Sequence, residues 1–278
     1  MPDLADHIGT KVTKLILVGD PGSGKTGALA SLAGAGYNLR IWDLDNGIDI
    51  LANMLRDPKN PYGPEALHRI KYEPLTDPMK LNARGQLVPA KATAWERSVK
   101  LMEDWPGCGP VASWGPKDIL VIDSLTKISR AAFNWVLAMN ARLGKRPEQS
   151  DYYSAQQAIE SMIELITDES VKCNVIVIAH IKMIEVNNVP KGYPKTIGKA
   201  LSPDIGAHFN SILMVQKSGS GAATKRKIFT NPVGPIELKN SNPYRVRADY
   251  PLETGLADYF RDVQQRAVEE VPTKIAAQ

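Results

Sequence analysis

One short segment of this 278-residue chain constrains its fold more than any other, because residues 15–27 read LILVGDPGSGKTG. The first four residues are apolar and have the length of a short β-strand. Glycines follow where the backbone must turn, and the Ala/Leu-rich run ALASLAGAG after them predicts a helix. A buried strand that passes through a glycine-rich turn into a helix is typical of α/β proteins.

The glycine-rich turn matches the spacing G-x-x-x-x-G-K-[ST], which is the pattern of a phosphate-binding P-loop. Its glycines let backbone N–H groups turn inward around an anion, and the start of the next helix adds partial positive charge. Lys25 is expected to reach the β- and γ-phosphates, and the Thr26 hydroxyl to bind Mg²⁺. A turn without a ligand is the alternative. The predicted nucleotide-binding residues are Gly19, Asp20, Pro21, Gly22, Ser23, Gly24, Lys25, Thr26 and Gly27.

Three further runs, at residues 39–43, 118–123 and 174–179, are also apolar and have the length of a β-strand. Near-continuous Val, Ile and Leu is typical of strands buried on both faces of a parallel sheet. The runs alternate with helical patterns, which predicts an α/β fold with a mainly parallel sheet flanked by helices. Beyond residue 206, FNSILMVQK, KRKIFT and PIELK predict a C-terminal antiparallel hairpin and a further short strand. The helices are predicted over residues 25–34, 46–56, 93–105, 125–143 and 151–168.

We expect one domain over residues 13–265, with an N-terminal extension, 1–12, and a flexible tail, 266–278. The N-terminus MPDLADHIGT lacks the basic start and apolar core of a signal peptide, and no apolar run has the length of a membrane span. Cys108 and Cys173 have no metal-ligand spacing. A cytoplasmic protein with reduced thiols and no membrane contact is therefore predicted.

A second motif follows from the acid at the end of the strand DILVID, residues 118–123. This is the form of a Walker B element, in which Asp123 would hold the Mg²⁺ shell opposite Thr26. The alternative is that Asp123 only caps the next helix, a role for which Ser124 competes.

The residue that orients the attacking water cannot follow Asp123, because position 124 is serine. The stretch IWDLDNG at 41–47 offers Asp43 and Asp45 at the end of another strand. We interpret Asp45, which lies just past that strand, as the base that faces the γ-phosphate. The alternative is a turn acid before Asn-Gly.

His180 ends the fourth apolar run, in IVIAHIKM. The carboxyl edge of an open α/β sheet is where ligands bind. A polar side chain there can sense the γ-phosphate and pass its state to the following loop. A partly buried histidine with a purely structural role is the alternative.

Positive charge is concentrated in residues 180–249, which hold eleven Lys or Arg and four acids, whereas the whole chain has a net charge of +4. Such a segment suggests a polyanionic partner. A solvated, lysine-rich surface is the alternative.

Together these elements resemble the RecA-type ATPase core. That family has a P-loop, an acid on the adjacent strand as base, an Asp-Ser Walker B element, and a polar sensor before a mobile DNA-binding loop. AHIKM at 179–183 and GKALSPDIGAHFNSILMV at 198–215 look like the family's sensor, the end of its second DNA loop and its next strand. The resemblance spans about residues 13–240. It is nearest to the small phage RecA-like ATPases of single-strand annealing and recombination.

The resemblance implies roles for particular residues. The cofactors would be ATP and Mg²⁺, with Lys25, Asp45 and His180 catalytic and Thr26 and Asp123 at the metal. Residues 182–205 would form the second DNA loop and 140–153 the first. Basic side chains that follow the backbone and aromatic rings that stack on bases hold single strands without sequence preference; ordinary surface charge is the alternative. The implied DNA contacts are Lys182, Lys191, Tyr193, Lys195 and Lys199 in the second loop, and Arg142, Lys145, Arg146, Tyr152 and Tyr153 in the first.

Two departures from the family pattern have consequences. The base is aspartate where RecA proteins have the longer glutamate, so hydrolysis is expected to be slow. The paired lysines that complete a neighbouring subunit's site have no clear match in KRKIFTNP. Candidates for a cation supplied in trans are Arg226, Lys227 and Lys239.

The hypothesis is a DNA-stimulated ATPase that assembles as a ring or filament on single-stranded DNA and promotes annealing or strand exchange, for a phage inside its host cell. The resemblance also makes a single-strand binding protein a candidate partner. One alternative is a DNA-translocating motor, such as a helicase or packaging ATPase. Many P-loop motors have Asp-Glu at the end of the Walker B element, and Ser124 after Asp123 argues against this class. Another is a small-molecule kinase or nucleotide switch, which would need a lid with arginines or an acceptor pocket.

Overall fold

The computed structural model describes residues 12–198 and 200–264, apart from the side chain of Ala222. Residues 1–11, the expected tail 266–278 and Lys199 lie outside the described residues, so the predicted domain boundaries stay predictions.

Twelve strands occur in the described part of the chain. They are β1 (Lys14–Val18), β2 (Asn38–Asp43), β3 (Ile70–Pro74), β4 (Met79–Leu81), β5 (Leu87–Pro89), β6 (Asp118–Asp123), β7 (Asn174–Ala179), β8 (Ile181–Val186), β9 (Val189–Pro194), β10 (Ser211–Ser218), β11 (Lys225–Phe229) and β12 (Asp249–Pro251).

Eight of these strands form the main sheet in the order β12-β11-β10-β1-β7-β6-β2-β3. The six strands from β10 to β3 are parallel, and β11 and β12 extend the β10 edge in antiparallel pairing. The predicted α/β fold, with a mainly parallel sheet and a C-terminal antiparallel hairpin, is confirmed. β4–β5 and β8–β9 are separate two-stranded sheets.

The helices of the described residues pack on both faces of the main sheet. Ile16 and Val18 of β1 contact the core formed with α4, α5 and α6. Leu15 and Leu17, which alternate with them, contact the core formed with α1, α2, α3 and α8. The helices are α1 (Lys25–Ala28), α2 (Ala30–Gly34), α3 (Ile48–Arg56), α4 (Ala94–Glu103), α5 (Leu125–Met139), α6 (Gln149–Thr167), α7 (Leu201–Asp204) and α8 (Gly255–Gln264). None of these helices is long and apolar enough to cross a bilayer.

Three local expectations differ from the structure. The helix predicted over 25–34 is divided at Leu29 into α1 and α2. The expected strand PIELK forms only isolated bridges, from Ile236 to Gly192 and Val233 and from Lys239 to Ile212. The expected second DNA loop is mostly the antiparallel hairpin β8–β9. Its turn holds Asn187 and Asn188 at φ 52° and 61°, because asparagine tolerates the left-handed region that a two-residue hairpin turn requires.

The register of the parallel strands brings their polar end residues together. Asp43 at the end of β2 pairs with Asp123 at the end of β6. Val18, just before the glycine-rich turn, pairs with Ala179, just before His180. All the predicted catalytic elements therefore meet at the carboxyl edge of the sheet, where α/β proteins bind ligands.

Candidate functional site

The glycine-rich turn wraps around the Lys25 side chain. Gly22 and Gly24 have φ of 73° and 108°, values that residues with a Cβ rarely adopt. Lys25 is 7% exposed, and its ammonium donates to the carbonyl oxygens of Gly19 and Asp20, each at 2.8 Å. Burial lowers the pKa of Lys25, and the carboxylates of Asp123 and Asp20 oppose that change. A buried cation that bonds only to neutral carbonyl oxygens gains strongly from an incoming phosphate.

Gly19 allows this turn to approach the neighbouring strand. A Cβ on Gly19 would lie 2.5 Å from the backbone carbonyl oxygen of Val215 and 2.8 Å from Ser23 Oγ. The carbonyl belongs to β10, so it cannot move without disturbing the sheet. The loop therefore keeps its position only with glycine at residue 19.

Gly19→Ala is expected to destabilise the fold by about 1–3 kcal/mol, the usual cost of overpacking a well-packed interior. Gly115→Ala is the matched control, because a Cβ on Gly115 meets nothing within 4 Å. Urea unfolding of both variants measures the free-energy difference. Equal stabilities would contradict this account of the loop.

Thr26 and Asp123 form the second part of the site. Thr26 Oγ1 donates to Asp123 Oδ2 at 2.7 Å. Burial raises the pKa of Asp123 to about 6, the Thr26 hydrogen bond lowers it, and the nearby Asp45 and Asp43 raise it further. Asp123 accepts its hydrogen bond from Thr26, and α5 begins after Ser124 without any side-chain cap. Helix capping, the alternative interpretation of Asp123, therefore has no support in these contacts.

These two residues fit a Mg²⁺ ion. A hydroxyl and a carboxylate oxygen are the hard ligands that Mg²⁺ prefers, and a buried carboxylate with a raised pKa gains from a cation. Gly47 keeps the corner open, since a Cβ there would lie 3.4 Å from Thr26 Oγ1 and 3.7 Å from Asp123 Oδ2. Among the described residues, no group of three or more His, Cys, Asp or Glu side chains could hold a metal. The remaining ligands of the ion would therefore be phosphate oxygens and water.

Asp123→Asn is expected to stabilise the ligand-free protein near neutral pH. The pKa of this carboxyl rises from 3.8 to about 6 on folding, so ionisation costs folding free energy. The cost is absent below the unfolded pKa, grows as pH rises through this interval, and is complete above about pH 6, where it reaches about 3 kcal/mol.

Urea unfolding measures the effect of Asp123→Asn. The variant should be more stable than the wild type at about pH 7.5 and equal to it at about pH 4. Added Mg²⁺ and ATP should stabilise the wild type more than the variant. A variant less stable than the wild type at both pH values would contradict the assignment.

Asp45 lies between two potential hydrogen donors at the open side of the site. Its Oδ2 is 3.9 Å from His180 Nε2, and its Oδ1 is 3.9 Å from Lys127 Nζ. Asp43 has a different role, because its Oδ1 accepts from the Gly47 N–H at 3.0 Å and so closes the turn after β2. Burial lowers the pKa of the P-loop lysine, Lys25, and of the two acids that the sequence offers it is Asp45 whose charge opposes that change. Lys127 was missed by sequence reasoning, although it lies one helical turn after the Walker B acid.

His180 connects this site to the β8–β9 hairpin. Burial and the nearby Lys25 lower its pKa, which Asp45 and the Gly19 backbone raise in part. The imidazole is therefore neutral at physiological pH. The His180 carbonyl oxygen accepts from the Lys195 N–H at 2.8 Å. Since His180 directly precedes β8 and Lys195 directly follows β9, this hydrogen bond joins the two ends of the hairpin.

The residues expected in the second DNA loop lie on this hairpin. Lys182 pairs across it with Tyr193 and donates to the Gly198 carbonyl oxygen. Lys191 forms an ion pair with Glu237 at 2.8 Å. Lys195 is exposed at the base of the hairpin. The structure thus brings these residues together beside His180, but two of the ammonium groups already have protein partners.

The expected first loop divides into a structural part and an exposed part. Arg142 Nε donates to Asp151 at 2.8 Å, and the same guanidinium lies 3.3 Å from Glu148; it holds the pKa of Asp151 well below its usual range. Lys145 and Arg146 are exposed, with Lys145 Nζ donating to the Ala141 carbonyl oxygen at 3.0 Å. Tyr152 packs on Phe133 with ring centroids 4.6 Å apart, whereas Tyr153 is largely exposed.

The three candidates for a cation in trans have different surroundings. Arg226 lies against the P-loop of its own chain, since its Cδ is 3.0 Å from the position of a Cβ on Gly24. Lys227 forms an ion pair with Asp249 at 2.9 Å. Lys239 Nζ donates to the Ala207 carbonyl oxygen at 3.4 Å. Their role in a neighbouring subunit stays a prediction.

A family model described as an AAA domain matches residues 11–233. No curated protein sequence matches the chain. Similar solved structures include the RadB recombinase, at 15% identity and TM-score 0.45, covering 91% of this chain and 92% of that one. A KaiC-like protein from Pyrococcus horikoshii OT3 has 11% identity and TM-score 0.44, with 90% of both chains covered. The flagellar accessory protein FlaH from Methanocaldococcus jannaschii has 13% identity and TM-score 0.42, covering 87% and 84%. Likeness at this level does not bear on substrate.

Proposed function

Since the chain belongs to the AAA-domain family whose model spans residues 11–233, we propose that it is a Mg²⁺-dependent ATPase acting on single-stranded DNA. It would assemble there as a homo-oligomer and promote annealing or strand exchange in homologous recombination. The motif resemblance extends the proposal to phage recombination in the host cytoplasm.

One observation carries the hydrolytic part of this proposal. Asp45 follows β2, whereas Asp123 ends β6. Its charge opposes the lowering of the Lys25 pKa by burial, and its carboxylate lies 3.9 Å from both His180 Nε2 and Lys127 Nζ. A carboxylate in that position can accept a proton from an attacking water, because general bases act within hydrogen-bond reach or through one water. Asp123 and Thr26 are occupied with each other and so leave this task to Asp45.

The residues of this chain divide the chemistry as follows. Lys25 would exchange its two carbonyl partners for phosphate oxygens, and so stabilise negative charge from a buried position. Mg²⁺, when bound beside Thr26 and Asp123, supplies charge neutralisation on the phosphates. Asp45 would orient the water and hold its proton. The neutral His180 can donate one hydrogen bond toward the phosphates.

Coupling to DNA is supported by the backbone at His180. The hydrogen bond from Lys195 to the His180 carbonyl oxygen ties both ends of the β8–β9 hairpin to the sensor. A shift of His180 toward a bound phosphate would therefore move the base of the hairpin and the lysines on it. This coupling does not require a direct contact between the β8–β9 hairpin and the phosphate.

Steady-state phosphate release with and without an oligothymidine strand tests this proposal. We expect slow hydrolysis of ATP that requires Mg²⁺ and rises severalfold with the DNA. Light scattering of the same mixtures should show a larger assembly with DNA and an ATP analogue than without them. ATP hydrolysis that neither responds to DNA nor accompanies DNA binding would overturn the DNA-dependent part of the proposal.

A further inference from the structure

A second small hairpin, formed by β4 and β5 and called the 79–89 hairpin, stands apart from the main sheet. It interrupts the long connection between β3 and α4. Lys80, Arg84 and Lys91 are exposed, and the sequence from Pro78 to Trp95 contains no acid. None of these residues belongs to the loops discussed above.

The two faces of this hairpin differ. Met79 pairs with Pro89 and Leu81 with Leu87, which places these four side chains on one face. Met79, Leu81 and Leu87 are 50%, 68% and 65% exposed. Val88, on the other face, packs on the 140–148 turn, since a Cβ on Gly144 would lie 3.5 Å from Val88 Cβ. The hairpin therefore covers that turn with one face and presents an apolar face to solvent.

A single carboxylate anchors the base of the hairpin. Asp77 Oδ1 accepts from the N–H groups of Thr93 and Ala94 at 2.8 and 2.9 Å, so both ends of the segment are held together. Asp77 Oδ2 accepts from Asn134 Nδ2 on α5 at 2.8 Å. The same helix carries Lys127 beside Asp45. The hairpin is thus fixed to the helix that reaches the hydrolytic site.

We infer that the 79–89 hairpin is a contact surface for single-stranded DNA. Its apolar face would contact unstacked bases, as leucine and methionine wedges do in other complexes. The cations on and beside it would contact phosphates; they are Lys80, Arg84, Lys145 and Arg146. This inference rests on the proposed function and extends it to the 79–89 hairpin, which belongs to neither expected DNA loop and packs beside the first of them.

Charge favours DNA over a second copy of the chain as the occupant. An apolar face on a monomer usually marks an interaction site of some kind. Here the hairpin also carries exposed cations, Arg84 in its turn and Lys80 on the Val88 face, and the acid of the 140–148 turn, Glu148, lies against Arg142. A polyanion with apolar base faces complements this arrangement in both charge and polarity.

Three double variants test the inference. Lys80→Ala with Arg84→Ala removes charge, and Leu81→Ser with Leu87→Ser removes the apolar face. Arg56→Ala with Lys59→Ala is the matched control, because both residues are exposed and α3 packs on the opposite face of the sheet. Hydrolysis without DNA and thermal unfolding show that each variant is folded.

The probe is an oligothymidine carrying one 2-aminopurine, titrated by anisotropy over a salt series. The charge variant should bind about tenfold more weakly, and its slope of log K against log salt should fall by about 1.4, for two lost phosphate contacts. The apolar variant should also bind about tenfold more weakly, because two leucines lose their burial against the bases. Its salt slope should stay unchanged, and the 2-aminopurine signal of base unstacking should shrink. The control should match the wild type.

The outcomes separate this inference from the proposed function. A wild type that does not bind the strand would overturn both. Wild-type binding with hairpin variants that match the control would overturn the inference alone. An apolar variant that changes only the assembly size, with DNA affinity per protomer intact, would make the face a self-association surface and would likewise overturn it.

Discussion

Lys25→Ala will lower kcat/KM for ATP hydrolysis by roughly 10²–10³-fold, the usual loss when a donor that stabilises developing charge is removed from an active site. Lys25 is buried in the glycine-rich turn and its ammonium is held by the carbonyl oxygens of Gly19 and Asp20. Without this ammonium, the charge of the phosphates would lack its neutralising cation. The stabilisation of the fold by ATP and Mg²⁺ should disappear in the same variant.

Lys59→Ala is the control for this experiment, because Lys59 is exposed beyond the end of α3. Phosphate release gives the kinetic parameters, and thermal unfolding with and without ATP reports binding. A Lys25→Ala protein that keeps its activity within a few fold of the wild type would show that the P-loop lysine does not act on phosphate.

Asp45→Asn will lower kcat by about 10²–10⁴-fold, the typical contribution of a general base, while ATP binding remains within about threefold. The amide cannot accept a proton from water, but it keeps the size of the carboxylate. Binding should persist because Asp45 is separate from the Thr26–Asp123 pair that would hold the metal. Fluorescent ATP analogues measure binding independently of turnover.

Asp43→Asn is the matched control, since the two acids lie two residues apart at the same strand end. The amide introduced by this substitution retains an oxygen that can accept from the Gly47 N–H, as Asp43 Oδ1 does at 3.0 Å. This variant should therefore keep most of its hydrolytic activity. Equal losses in both variants would exclude a specific role for Asp45 as the base.

Much of this site was predictable because its chemistry requires particular residues at short sequence distances. The P-loop is local, and the apolar runs that end at Asp123 and Ala179 are continuous, so strand bounds and edge positions followed from the pattern. Parallel pairing then brings Asp43 and Asp123 together without further information.

Other features depend on contacts that sequence patterns do not encode. The contact between Arg226 and its own P-loop depends on how β11 lies over Gly24, which is a tertiary property. The charge of Arg142 predicted a DNA contact, whereas its hydrogen bond to Asp151 is a tertiary contact that the charge alone did not indicate. The β8–β9 hairpin did have a signal, the Asn187-Asn188 pair between alternating residues, which the resemblance to a mobile loop obscured.

The most direct test of the central claim is the affinity for single-stranded DNA in three states: with a non-hydrolysable ATP analogue, with ADP, and without nucleotide. The account requires the phosphates at Lys25 to act through His180 on the hairpin whose base its carbonyl oxygen closes. It therefore predicts binding about tenfold tighter with the ATP analogue than in the other two states, a typical allosteric coupling. Equal affinity in all three states would contradict it.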